Sequence, residues 1–336
     1  MNKLNELIKL DKMKSDNKVC VVGAGNWGKN HIRTLNELGV LGGIVDANNE
    51  RLNQYSDQYP DVSVFTNLTD ALSDNSFLGF TVATPAETHF NIGKIIIEAK
   101  KHILIEKPLT LNIDDAEQLV KQAEANNINL MVGHVLLFHP AINKIKELID
   151  ENKIGKLQYV YSNRLNLGQI RTEENVFWSL APHDISIFQY FIEDFPIQIK
   201  ASGSTFLQKG IHDSTLTILE YPNNINGHIF VSWLHPFKEH RLVVIGSEGM
   251  VTFEDSAEGK PLKLYSKKFN MSSGLPEKID GPMKKIKYEE KMPLSEELKY
   301  FVEHLDGAVI HKANGQHALE VTKILVEASK QLEGFE

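Results

Sequence analysis

Two groups of residues in this chain have the types and spacing to do chemistry. The first is Gly23, Gly25 and Gly28 in "VVGAGNWGKN", a G-x-G-x-x-G spacing that follows an apolar run and opens a helical pattern. In that setting the first glycine permits a tight turn and the second lets the backbone approach a pyrophosphate. The third lets helix and strand pack closely, with the helix amino terminus facing the anion. Asn26 and Trp27 lie in the turn itself, Trp27 either as a lid on a bound ligand or as a core residue of the helix. Asp46 closes the next apolar run, where a carboxylate accepts hydrogen bonds from ribose hydroxyls and repels a 2′-phosphate, which predicts NAD in preference to NADP. The second group is in "HILIEKPLTLN". The apolar run 102–105 passes without a turn residue into Glu106, Lys107 and Pro108. A strand there delivers a carboxylate and an ammonium together and then loses its next backbone donor to proline.

The elements that must position these groups follow a regular rhythm. Strand patterns at 18–25, "LGGIVDAN", "VSVFT", "LGFTVATP", "HILIEKP" and "INLMVGHV" alternate with helical patterns, the last of these helices capped by Asn112. That alternation predicts parallel pairing with right-handed crossovers in a doubly wound sheet, where ligands bind beyond the carboxyl ends of the strands. Glu106 and Lys107 fall on that edge. From about residue 140 the rhythm changes to a helix, an alternating strand, the helical stretch "VFWSLAPHDISIFQYFI" and then mostly strands. One hairpin is predicted around Asn226-Gly227 and another around Gly246–Gly249, with weaker strands in "PLKLYSKK" and "KKIKYEEK", a mobile loop over 268–285, and closing helices at about 294–306 and 316–333. The fold class is therefore α/β: a dinucleotide-binding Rossmann domain over 18–138, followed by an α+β domain over 139–336.

At 336 residues the chain can bury the cores of two domains. A net charge of −8 argues against nucleic acid or an anionic membrane as partner. Cys20 alone can build neither a disulfide nor a thiolate metal site, and no zinc- or serine-hydrolase motif is present, so no metal is expected. The polar leader 1–17 reads as a short helix or a disordered segment, with no signal-peptide core, and no run is long enough to span a membrane. These features predict a cytoplasmic protein.

With "GAGNWG", "ATPAETH" (83–89), "HILIEKPL" (102–109) and "LAPHDIS" (180–186), the chain resembles the Gfo/Idh/MocA family of NAD(P)-dependent oxidoreductases over nearly all of 18–333. The resemblance implies that Lys107 lies beside the nicotinamide and hydrogen-bonds the hydroxyl to be oxidised, aimed by a cis peptide before Pro108. An ammonium there would stabilise the developing alkoxide and help move its proton. It implies cofactor contacts from Thr84 and His89, with Glu106 near the nicotinamide ribose. It also implies His183 as general base, a role suited to an imidazole neutral near pH 7. The family commonly has Asp-x-x-x-His on that helix, whereas this chain has Ser179 one turn before His183, which changes how a neighbouring substrate hydroxyl is held. The glycine usual before the 102–106 strand is Lys100. Arg164 and Arg171 are candidates to bind a substrate phosphate or carboxylate bidentately, and His134 and His139 flank the domain junction.

"GNWGKN" with "RLNLGQIRTEENVFWSLAPHDIS" is similar to the subgroup acting on nucleotide-linked sugars, the UDP-N-acetylglucosamine and UDP-N-acetylglucosaminuronate 3-dehydrogenases. The expectation is an NAD-dependent sugar dehydrogenase of surface-polysaccharide biosynthesis, homodimeric or homotetrameric through the open sheet of its second domain. The alternatives are a free-sugar or inositol dehydrogenase and an NAD(H)-sensing regulatory protein. A sensor would need neither Lys107 nor His183.

Overall fold

The computed structural model describes residues 18–333, so the leader at 1–17 lies outside the described residues. The apolar runs of the first half form β1 (Lys18–Val22), β2 (Leu41–Val45), β3 (Ser63–Phe65), β4 (Phe77–Val82), β5 (His102–Glu106) and β6 (Leu130–Gly133). They pair in parallel in the order β3-β2-β1-β4-β5-β6. The order reverses between β1 and β4, the switch point where such sheets take their ligands. The intervening helices are α1 (Gly28–Glu37), α2 (Asn49–Gln58), α3 (Leu68–Leu72), α4 (His89–Glu98) and α5 (Ile113–Ala125). Asn48, Asn67 and Asn112 cap α2, α3 and α5 by accepting the backbone N–H three residues on, as predicted for Asn112. Lys100, after α4, has φ 57°, the left-handed conformation that glycine adopts more cheaply.

The chain divides into two units after Phe138, where the sequence rhythm changes. The expected second domain, 139–336, is not continuous: Met292–Thr322 belong to the first unit, and the chain from Lys323 onward rejoins the second. Helix α8 (Pro293–Glu303, numbered after two helices of the second unit) packs on α1 and on the 3-10 turn Val135–Phe138. Val132 N donates to Ala313 O at 2.8 Å and Met131 bridges Asn314, so this returning segment covers the edge of β6. Ala318 and Leu319 of α9 (Gly315–Glu333) join the apolar core formed with Val120, Leu130 and Val132. An amphipathic pattern tells which face of a helix is buried but not against what, which is why the return of this segment to the first unit is not legible in the sequence.

The second unit contains α6 (Pro140–Asp150), β7 (Leu157–Leu167), α7 (Val176–Ile192) and seven further strands, in an eight-stranded sheet. The further strands are β8 (Gln198–Ser204), β9 (Ser214–Tyr221), β10 (Ile225–Ser232), β11 (Leu234–Gly246), β12 (Met250–Glu254), β13 (Leu262–Asn270) and β14 (Glu277–Ile286). The order is β14-β13-β12-β11-β7-β10-β9-β8, parallel only between β7 and β10. Two local expectations fail. The β9–β10 turn is Pro222–Asn224, with Asn223 and Asn224 at φ 58° and 60°, conformations Asn tolerates well. Asn226 and Gly227 lie inside β10 instead, where a Cβ on Gly227 would come within 2.9 Å of the Phe188 ring on α7. Residues 268–285 are not a loop but most of the β13–β14 hairpin, paired from Leu262–Ile286 to Asn270–Glu277. The lysines, Gly281 and Pro282 that hide the strand pattern of β14 suit a sheet edge, where they discourage further pairing.

Candidate active site

The first unit builds a cofactor cradle at the carboxyl edge of its sheet. Gly23 has φ 91°, and a Cβ there would meet Thr84 Cγ2 at 2.8 Å. A Cβ on Gly28 would stand 1.8 Å from the Gly23 carbonyl oxygen, so both positions require glycine. Gly25 has nothing within 4 Å of its Cβ position, leaving open space over the backbone. No side chain caps α1, where Trp27 occupies the N-cap and no acidic residue sits in the first turn. The uncapped amino terminus of α1 and the open face of Gly25, flanked by the exposed Asn26, therefore fit a pyrophosphate.

Asp46, at the end of β2, accepts from Ala24 N at 2.7 Å, Asn48 N at 2.9 Å and Arg51 Nη1 at 2.8 Å. Burial pushes its carboxyl up, but the hydrogen bonds from Ala24, Asn48 and Arg51 outweigh it and hold the group below its ordinary value. Asp46 is thus ionised, tied to the glycine-rich turn, and partly neutralised by a half-exposed arginine that the sequence reading overlooked.

Thr84 shares a 2.7 Å hydrogen bond with Thr88. His89 is 1% exposed, and its ring nitrogens face the carbonyls of Pro108 at 2.8 Å and Thr84 at 3.0 Å. It braces the end of β4 against Pro108 rather than presenting an open polar atom, a correction to its expected cofactor contact. The Lys107–Pro108 peptide is cis, as the resemblance implied. Glu106 is also buried: Oε1 accepts from Trp27 Nε1 and, at 2.8 Å, pairs with His31 Nε2, while Oε2 accepts from Lys107 N at 3.2 Å. A Cβ on Gly133 would fall within 2.9 Å of that carboxylate, so β6 supplies the space Glu106 fills. Trp27, 44% exposed, therefore ties the glycine-rich turn of β1 to the end of β5. Lys107 leaves this hub half-buried. Beside it lies His134, fully buried, held neutral by burial and by the nearby His317 and Lys107.

In the second unit, α7 carries buried Ser179 and half-buried His183 one turn apart, with Pro182 inside the helix. Ser186 Oγ donates to His183 O at 2.8 Å. Arg164 is not available to a substrate: Nε donates to Asp184 Oδ2 at 2.7 Å and Nη2 to Oδ1 at 2.9 Å, and both residues are buried. This bidentate pair fastens β7 to the helix that presents His183. Freeing the guanidinium would strand a buried carboxylate, which is why the pair stays closed. Arg171 is exposed and pairs with Glu174 at 3.2 Å. His139 caps α6 by accepting from Ala141 N, a structural duty. No cluster of residues able to hold a metal occurs among the described residues, and none of their helices is long and apolar enough to cross a membrane.

Residues 17–134 match the model of an oxidoreductase family with an NAD-binding Rossmann fold, and residues 142–252 match the Gfo/Idh/MocA C-terminal domain. The chain belongs to the Gfo/Idh/MocA family. It is an NAD-dependent oxidoreductase, and the cradle around Gly25 and Asp46 fits that cofactor. A UDP-N-acetylglucosamine 3-dehydrogenase from Acidithiobacillus ferrooxidans is 28% identical over 189 residues, 54% of this chain and 56% of that protein. A myo-inositol 2-dehydrogenase from Thermotoga maritima is 22% identical over 254 residues, 72% of this chain and 76% of that one. The solved structure of the Acidithiobacillus ferrooxidans UDP-N-acetylglucosamine 3-dehydrogenase has a TM-score of 0.84 at 20% identity, covering 95% of this chain and 98% of that one, which shows a shared fold.

Sequence reasoning passed over His31 and Asp184. His31 and Asp184 are polar residues on helices that otherwise read as ordinary packing elements, and their partners are distant in sequence. Asp184 had one legible signal, its place beside His183.

Proposed function

We propose that this protein oxidises a hydroxyl of a nucleotide-linked sugar, a UDP-N-acetylhexosamine or its uronate, at C3, in surface-polysaccharide biosynthesis. The observation that carries this reading is the likeness, in both sequence and fold, to one UDP-N-acetylglucosamine 3-dehydrogenase. NAD, when bound, supplies the hydride acceptor. In this reading the chain's own residues do the rest. The uncapped turn of α1 holds the pyrophosphate, and Asp46 accepts from the adenosine ribose. Lys107, at the sheet edge behind the Glu106 hub, stabilises the alkoxide as the hydroxyl proton is lost. His183 is the candidate base for that proton, and Ser179 the candidate partner of a neighbouring hydroxyl. With Arg164 committed to Asp184, Arg171 remains the candidate for the substrate's diphosphate.

A free polyol such as inositol is the second reading, favoured by the longer match to the myo-inositol 2-dehydrogenase. Calorimetry of the NAD-loaded protein with UDP, UDP-N-acetylglucosamine and myo-inositol separates them. Binding of inositol but neither uridine ligand would overturn the nucleotide-sugar reading. The open face of the second sheet, where Leu216 and Ile218 are each 38% exposed beside the stacked Tyr161 and His228 rings, supports a homodimer or homotetramer, to be read by light scattering.

A further inference from the structure

In the first unit two donors from one helix converge on a single carboxylate oxygen. Trp27 is the N-cap of α1 and His31 lies four residues on, so the two share a face of the helix. Both reach the end of β5: Glu106 Oε1 accepts from the Trp27 indole and pairs with His31 Nε2 at 2.8 Å. His31 is 0% exposed, and its Nδ1 has no hydrogen-bond partner among the described residues. Only Nε2 has an acceptor to meet, so the ring donates there. Both acceptor positions of Oε1 are thereby filled. Oε2 accepts from Lys107 N at 3.2 Å and keeps one position for a ligand hydroxyl. A Cβ on Gly133 would stand 2.9 Å from both oxygens, so β6 hems the group in as well.

The sheet order says which part of the cofactor this carboxylate serves. The glycine turn and Asp46 follow β1 and β2, so the adenosine half takes that side of the switch point and the nicotinamide half falls to β4, β5 and β6. Trp27 therefore starts in the turn that fits the pyrophosphate and ends, through its N–H, on the nicotinamide side. We propose that Trp27 and His31 are positioning residues that hold the Glu106 carboxylate for the nicotinamide half of NAD, so that the helix facing the pyrophosphate also sets the place of hydride transfer. Trp27 acts through its indole N–H on Glu106 and not as a lid over the nucleotide. Lys107, whose amide donates to the same carboxylate, is placed by the same grip. This positioning needs the nicotinamide half at Glu106 and is indifferent to which sugar is oxidised.

Calorimetry of the intact protein with NAD⁺ and with ADP tests it, because ADP carries the adenosine half and both phosphates but nothing of the nicotinamide half. Trp27→Phe keeps an aromatic ring and removes the N–H. It should leave ADP affinity within about twofold and lower the NAD⁺-to-ADP affinity ratio by about three- to tenfold, the effect of one net hydrogen bond. His31→Leu should lower the ratio similarly, and His31→Gln, whose amide can still donate, should restore most of it. In a Glu106→Ala protein, itself low in the ratio, Trp27→Phe should lower it no further, since both changes then act on one missing group. A Trp27→Phe protein that keeps the wild-type ratio would overturn the proposal. So would one that loses NAD⁺ and ADP alike, which would make Trp27 part of the phosphate-binding turn. A His31→Gln protein no better than His31→Leu, or a further loss on adding Trp27→Phe to Glu106→Ala, would count equally against it. A wild-type ratio in Glu106→Ala would take the nicotinamide half away from Glu106, and the positioning role with it, while the NAD-dependent assignment stood.

Discussion

Replacing Asp46 with serine should turn the enzyme toward NADP more strongly than loss of repulsion alone would. The Asp46 side chain is 9% exposed, and one oxygen of its carboxylate is held by Arg51, whose own side chain is 40% exposed. Serine removes the negative charge that a 2′-phosphate would meet and at the same time frees the Arg51 guanidinium to meet it. A hydrogen bond to a charged group contributes roughly 1.5–3 kcal/mol, and solvent screening at a half-exposed arginine brings this to about 1–2 kcal/mol. That corresponds to a five- to thirtyfold rise, roughly, in the NADP-to-NAD ratio of kcat/KM from the arginine alone. Use of NAD should weaken as well, because Ala24 N loses its acceptor and the glycine-rich turn its anchor. Steady-state kinetics with both nucleotides on wild type, Asp46→Ser, Arg51→Ala and the double variant separates the two contributions, since only the single Asp46→Ser change leaves the freed arginine in place. An unchanged ratio in Asp46→Ser would refute the reasoning, as would a wild type that already uses NADP as well as NAD.

Three other outcomes follow from the site. Lys107→Ala should lower kcat on the true substrate by about 10²–10⁴-fold with NAD affinity largely kept, and near-normal turnover would remove Lys107 from the chemistry. His183→Asn should flatten the acid limb of the kcat/KM profile, because that limb reports loss of the base's proton; a persisting limb in a slow enzyme would assign the proton to another group. Arg164→Ala should destabilise the protein by about 3–5 kcal/mol by stranding the Asp184 carboxylate, whereas replacing both partners with apolar residues should cost far less, as denaturant midpoints would show.

The sequence announced the cradle well because its constraints are local. Gly28 is forced by the Gly23 carbonyl five residues before it, and α7, Val176–Ile192, is legible as a mainly apolar run behind the Asn175 cap, Pro182 notwithstanding. What it hid was partnership across distance. Arg164 reads as a phosphate ligand until Asp184, twenty positions on, is seen to hold it. Glu297 reads as a solvated helix residue because "PLSEELKYFVE" places two adjacent glutamates in its first turns, and only the packed structure shows which is inside. The hairpins misled for a related reason: Asn-Gly is a strong turn signal, but the need to seat Phe188 against Gly227 prevailed over it.

The returning segment Met292–Thr322 has a consequence for how the protein can be made. A ribosome releases all of β1 to β6 long before Ala313 and Asn314 emerge to close the edge of β6, a delay on the order of ten seconds at ordinary synthesis rates. During that interval the nascent first domain carries a naked strand edge and a core without Ala318 and Leu319. A fragment cut at the obvious boundary after Phe138 would stay in that state permanently, prone to edge-to-edge association. Fusing 292–322 behind it through a flexible tether should restore a monodisperse nucleotide-binding module.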